Sequence, residues 1–85
     1  MVDAVVGVQG PLVFRIQKED GCYNIPNVYV SYGAKEATFS LLDCFHIFTD
    51  MDEGYEQYAM EWIMKHKKEL FEQWNSDDPK IIAAD

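Results

Sequence analysis

Eighty-five residues with 15 Asp and Glu against 7 Lys and Arg carry a formal charge of −8, which argues against direct binding to nucleic acid or an anionic membrane, because phosphate contacts need basic side chains. The length suits one domain, residues 1–85, with a small core near the lower limit of unassisted stability. Cys22 and Cys44 form no CxxC pair, no apolar run approaches a bilayer span, and Met1–Gly10 lacks the basic start of a secretory leader, so a cytoplasmic protein with reduced thiols is expected.

Taken in order, Met1–Val8 is apolar and β-branched apart from Asp3 and reads as a short edge strand, punctuated by Gln9, Gly10 and Pro11. Leu12–Lys18 alternates Leu12, Phe14 and Ile16 with Val13, Arg15 and Gln17, the period of a half-buried strand. Glu19, Asp20 and Gly21 spell a turn, and the irregular stretch after it contains Pro26, which biases Ile25 toward extended geometry. Val28–Tyr32 and Lys35–Leu42 alternate on either side of Gly33 and Ala34, which predicts a hairpin. Phe45–Phe48 is short and apolar and is a candidate extension of the sheet.

Asp52–Trp74 is the longest organised stretch. Tyr55, Tyr58, Ala59, Trp62, Ile63, His66, Leu70 and Trp74 recur at the three-and-four spacing of one helix face. Asp52 suits the N-cap and Glu53 the first turn, while Gly54 weakens the start, so the helix is expected to begin a turn late. Asn75–Pro79 stops it, and residues 76–85 form a tail in which Ile81 and Ile82 are the groups able to dock. The fold class expected is α+β: a small antiparallel sheet of three or four strands with one long C-terminal helix packed on one face. Trp62, Ile63, Leu70 and Trp74 should face Leu12, Phe14, Val30, Phe39 and Leu41.

Three stretches carry a family resemblance: GPLVFRI at Gly10–Ile16, NIPNVYVSYGAKEATFSL at Asn24–Leu41, and EWIMKHKKELFEQW at Glu61–Trp74. Together they resemble the DUF4160 domain family, small bacterial proteins named for their unknown function. Members usually carry an NPPHVHV segment, and here Asn27 and Tyr29 stand where its two histidines would be. The resemblance implies the fold just described; such proteins often look like partners in paired gene modules of the toxin–antitoxin kind, and the family has no established biochemical activity. It implies no histidine-based metal or proton chemistry on this strand, because the imidazoles are gone.

The residues themselves point away from catalysis. Asp43, Cys44 and His46 lie close in sequence, but neighbours in an extended strand alternate faces, so the trio does not converge. His66 sits on the helix stripe between Trp62 and Leu70, the place of a boundary residue. Asp50–Glu61 has the acids of a calcium loop without its ligand order, and no glycine-rich phosphate cradle is present. The chain is therefore expected to be no enzyme and to hold neither metal nor cofactor.

The acids have a more informative distribution. Between Lys35 and Lys65 there is no basic residue, while Glu36, Asp43, Asp50, Asp52, Glu53, Glu56 and Glu61 all fall there. A helix rising about 1.5 Å per residue spreads such charges far enough to imitate several backbone phosphates. The expected function is a small acidic protein that binds a macromolecule, as an inhibitor or antitoxin-like protein in the basic groove of a nucleic-acid-acting partner, through Glu36, Asp50, Asp52, Glu53, Glu56 and Glu61. The alternative is a non-catalytic subunit whose contact is the strip Met60, Met64 and Phe71. The Val-rich start, the wide apolar helix arc and the small size also favour a homodimer.

Overall fold

The computed structural model of the protein describes residues 2–18, 26–43, 46–76 and 78–84. Five strands, β1 (Val2–Gln9), β2 (Leu12–Lys18), β3 (Asn27–Tyr32), β4 (Lys35–Ser40) and β5 (His46–Thr49), pair antiparallel with their neighbours in sequence. A two-residue strand, β6 (Ala83–Ala84), adds to β1 in parallel, giving the sheet order β5-β4-β3-β2-β1-β6. The α+β class and the antiparallel sheet are as the sequence implies. The strand count is higher, and β1 is flanked by β2 and β6 where an edge strand was expected.

Two of the connections are set by glycine. Gly10 and Gly33 have φ of 56° and 57°, each at the first position of a two-residue turn, between the paired residues Gln9 and Leu12 and between Tyr32 and Lys35. Primed hairpin turns need this left-handed backbone, which matches the twist of the flanking strands and which glycine adopts without a Cβ penalty. The turn expected at Glu19–Gly21 and the stretch through Ile25 lie outside the described residues.

The helical segment is two helices, α1 (Glu53–Lys65) and α2 (Lys67–Trp74), where the periodicity predicted one. They meet at His66, whose φ −108° and ψ 18° leave the helical range. No Pro or Gly marks the place. The hydrogen bonds His66 N–H to Trp62 O at 3.1 Å and Leu70 N–H to His66 O at 2.8 Å bridge it. A local contact and a tertiary one lie on either side of the offset: the His66 ring is 4.5 Å from Trp62, one turn back, and Lys67 Nζ donates to Leu42 O at 3.1 Å. Gly54 does not delay the start, since α1 begins at Glu53 with Asp52 in the N-cap position, although the Asp52 side chain makes no cap bond.

One face of the sheet and one side of the helices form the core. Leu12, Phe14, Ile16, Val28, Val30, Ala37, Phe39 and Leu41 are buried against Ala59, Trp62, Ile63 and Leu70, with Trp74 partly buried at the margin. Phe14 and Trp62 stack with centroids 3.9 Å apart and planes at 15°, a pairing worth about 0.5–1.5 kcal/mol beyond the burial of its area. Met51 closes the end below α1, and the chain after α2 returns to the sheet, with Ile82 N–H donating to Val6 O at 2.6 Å.

The opposite face of the sheet carries no described helix or strand. Register places Val5, Arg15, Tyr29, Thr38 and Phe48 in one row across five strands on that side.

Candidate protein-binding face

Tyr55 and Tyr58 belong to the apolar stripe by spacing, yet they are 37% and 58% exposed. The first turns of α1 lie beside the two hairpin turns, sharing hollows with Gly10 and Pro11 on one side and with Tyr32 and Lys35 on the other. Tyr32, the last residue of β3, reaches Tyr55. Its hydroxyl shares a hydrogen bond with the Tyr55 hydroxyl at 3.3 Å, and the two rings lie 4.4 Å apart at 40°. The hydrogen bond to Tyr32, followed by the charge interaction with it, raises the Tyr55 pKa above the ordinary tyrosine value, so the Tyr55 hydroxyl stays neutral through the physiological range.

Shallow hollows surround these rings. One is lined by Gln9, Gly10, Pro11, Leu12, Tyr55 and Tyr58. A second, by Tyr32, Lys35, Met51, Asp52 and Tyr55, lies on the other side of the ridge. Asp52 and Gly54 with the two tyrosines form a third. A cleft of about 160 Å³ continues along α1 between Gln9, Tyr58, Glu61, Trp62, Lys65 and His66. Trp62 Nε1 and Gln9 Oε1 are buried there, a donor and an acceptor with no hydrogen-bond partner among the described residues.

The carboxylates singled out by sequence divide into two places. Asp52 and Glu53 are exposed at the head of α1, Asp52 in the hollows beside the tyrosines, and Glu61 is exposed on the cleft. Glu56 is half-buried in the first turn and is engaged within the chain. Glu36 and Asp50 lie elsewhere. Asp50 N–H donates to Glu36 O at 3.0 Å, Glu36 N–H donates to Asp50 Oδ1 at 2.7 Å, and the Tyr29 hydroxyl donates to Glu36 Oε2 on the far face of the sheet. That bond, with some burial and the negative charge of Glu36, pushes the Tyr29 pKa up to about 12, against the opposing effect of Arg15. Alternation along β4 is the reason for the division: Ala37 points to the helices, so Glu36 points away.

The methionine strip is also divided. Met60 and Phe71 pack against the core as partly buried residues, and Met64 alone of the three stands 60% exposed. His66 sits over Trp62 with Nδ1 3.3 Å from Glu69 Oε2. The side chains of Cys44 and His46 lie outside the described residues. Among the described residues no three His, Cys, Asp or Glu side chains gather as metal ligands, and no helix is long and apolar enough to cross a membrane.

Sequence reasoning placed Tyr55 and Tyr58 in the core and so missed the aromatic half of this face. The available signal was Gly54 with the acids on either side of it, a composition that suits a helix end standing in solvent. A family model described as a domain of unknown function, DUF4160, matches residues 12–75. No curated protein and no solved structure matches the chain.

Proposed function

We propose that this chain, which belongs to the DUF4160 domain family, works by binding another protein through the tyrosine and carboxylate face at the head of α1. The observation that carries the reading is the ridge of Tyr32, Tyr55 and Tyr58 with hollows on both sides, two of them lined by the exposed Asp52, and with Glu53 exposed in the same first turn. Tyrosine is a residue of interfaces because its rigid ring supplies contact area at low entropic cost while its hydroxyl finds a partner at the rim. The net charge of −8 selects a basic partner and accelerates encounter with it. The partner is a protein with a basic groove of the kind that nucleic acid occupies, and the chain acts on it as an inhibitor or antitoxin-like protein. Glu61 extends the acidic track along the helix. Glu36 and Asp50, on the far side, contribute only to the long-range field.

The subunit reading through Met60, Met64 and Phe71 has less to support it, since two of the three side chains already pack into the core.

The test is affinity capture from the native cell with a tagged chain. A partner held by carboxylates should be lost by about tenfold or more between low and high ionic strength, because charges beyond about 10 Å are screened at 0.1 M salt. Asp52→Lys with Glu53→Lys should abolish capture, and Tyr58→Ala should reduce it at every salt concentration. Met64→Ala should leave it unchanged. Capture that ignores salt and fails on Met64→Ala would transfer the contact to the methionine strip, and no captured protein at all would end both readings.

A further inference from the structure

We infer that the cleft between α1 and the end of β1 is a binding site for a small free α-amino acid, held as its zwitterion. The site shares Tyr58 with the face proposed for the protein partner and does not rest on that reading.

The walls follow from strand and helix spacing. Gln9, the last residue of β1, pairs with the core residue Leu12. Residues directly opposite one another in a sheet share a face, so the Gln9 side chain stands on the helix side. On α1, Tyr58, Trp62 and His66 succeed one another at four-residue steps, with Glu61 and Lys65 in the next row. These residues line a space of about 160 Å³. Trp62 is 4% exposed and its indole is held on two sides, 3.9 Å from Phe14 and 4.5 Å from His66. Glu61 and Lys65 are exposed, which sets one negative and one positive group at the rim.

The cleft holds a donor and an acceptor that no described residue satisfies. Trp62 Nε1 and Gln9 Oε1 are both buried and both without a hydrogen-bond partner among the described residues. Native folds keep few such groups, because each forfeits the hydrogen bonds it would make to water. Indole only donates, so Trp62 lacks an acceptor, while the Gln9 carbonyl oxygen lacks a donor. The two together call for a ligand that carries both. They lie at the back of the cleft, almost closed to water, so the ligand reaches them as the long Gln9 side chain, at the end of its strand, turns toward it.

The rim narrows the class. A cation alone would leave the indole N–H unpaired and would meet Lys65. An anion alone would leave Gln9 Oε1 unpaired and would meet Glu61. A zwitterion answers all four groups: its carboxylate accepts from Trp62 Nε1 and Lys65, and its ammonium donates to Gln9 Oε1 and Glu61. An α-amino acid carries both charges on one carbon, as a cleft this narrow requires. Size limits the side chain. A space of about 150 Å³ holds one benzene molecule, so glycine, alanine and serine fit, the side chain lying against the Tyr58 ring.

The test is a titration of the isotope-labelled chain with L-alanine, followed by nuclear magnetic resonance of the two tryptophan indole N–H signals. Alanine should move the Trp62 signal to a plateau and leave that of Trp74 in place. Acetate and methylammonium, each half of the zwitterion, and acetamide, which has a donor and an acceptor but no charge, should bind about tenfold more weakly or not at all. Gln9→Leu, which removes the acceptor, should weaken alanine by about tenfold. Glu61→Gln and Lys65→Gln, at exposed positions outside the core, should each weaken it by about threefold. Met64→Ala, exposed on α1 and no part of the cleft, should bind as the wild type does. A Trp62 signal that alanine leaves in place up to tens of millimolar would overturn the inference, and so would acetate, methylammonium or acetamide binding as tightly as alanine. Unchanged affinity in both rim variants, or in a Gln9→Leu chain with wild-type circular dichroism, would overturn it equally. Protein capture plays no part in this measurement, so the site and the partner reading stand or fall separately.

Discussion

Tyr29 shows how one residue reports on its surroundings. Its hydroxyl donates to Glu36, and the pKa of about 12 stands well above the ordinary 10.0. Because the folded chain holds the phenol neutral while the unfolded chain ionises it near pH 10, the stabilisation is complete below that pH and is lost as pH rises through the folded value. Absorbance titration of the five tyrosines should therefore contain a late component centred near 12. Glu36→Ala should return that component toward about pH 10, and a late component that survived the substitution would assign the shift to burial.

Among the elements, two glycines separate the effect of space from that of backbone conformation. Neither Gly33 nor Gly54 has an atom within 4 Å of where a Cβ would stand, yet only Gly33 has a positive φ, at 57°. Gly54→Ala adds a helix-favouring residue to the first turn of α1 and should raise stability by about 0.5–1 kcal/mol. Gly33→Ala forces a left-handed alanine into the β3–β4 turn and should lower it by about 1–2 kcal/mol. Urea unfolding of the two variants measures both, and equal effects would mean that space rather than backbone conformation governs these positions. The helices are divided by contacts in a comparable way. His66 interrupts a run with no breaker residue, because the side chains around it, Trp62 on one side and Lys67 and Leu70 on the other, are held by different parts of the sheet assembly.

Across the whole molecule, net charge governs the response to salt. With −8 on 85 residues, self-repulsion opposes the compact state, and the pair of His66 and Glu69, 3.3 Å apart with the carboxylate half exposed, offsets little of it. Added salt should raise the melting temperature of the free monomer, measured by circular dichroism at low concentration, through screening of that repulsion. A melting temperature that fell with salt would show that local attractions outweigh the net field. The same charge makes any complex with a basic protein strongest at low salt, so stability and binding are expected to move in opposite directions with ionic strength.

Alternation and helical spacing were enough to determine which residues meet in the core. Phe14, Val30 and Phe39 on the strands and Trp62, Ile63 and Leu70 on the helices are buried together as their periods require, because burial of apolar area is the main driving force of folding and leaves its mark in local sequence. The family was legible in contiguous stretches of one strand, one hairpin and the helical segment on both sides of His66. Three things depended on tertiary structure. The break at His66 has no breaker residue to announce it, and beside it Lys67 bonds the distant Leu42 carbonyl. The exposure of Tyr55 and Tyr58 depends on where the first turns of α1 sit beside the hairpin turns, which periodicity does not encode. The division of Glu36 and Asp50 from Asp52 and Glu53 follows from sheet faces: residues close along the chain are carried to opposite sides by strand alternation and by the step from β5 into α1, so an acidic run in sequence became two surfaces in space.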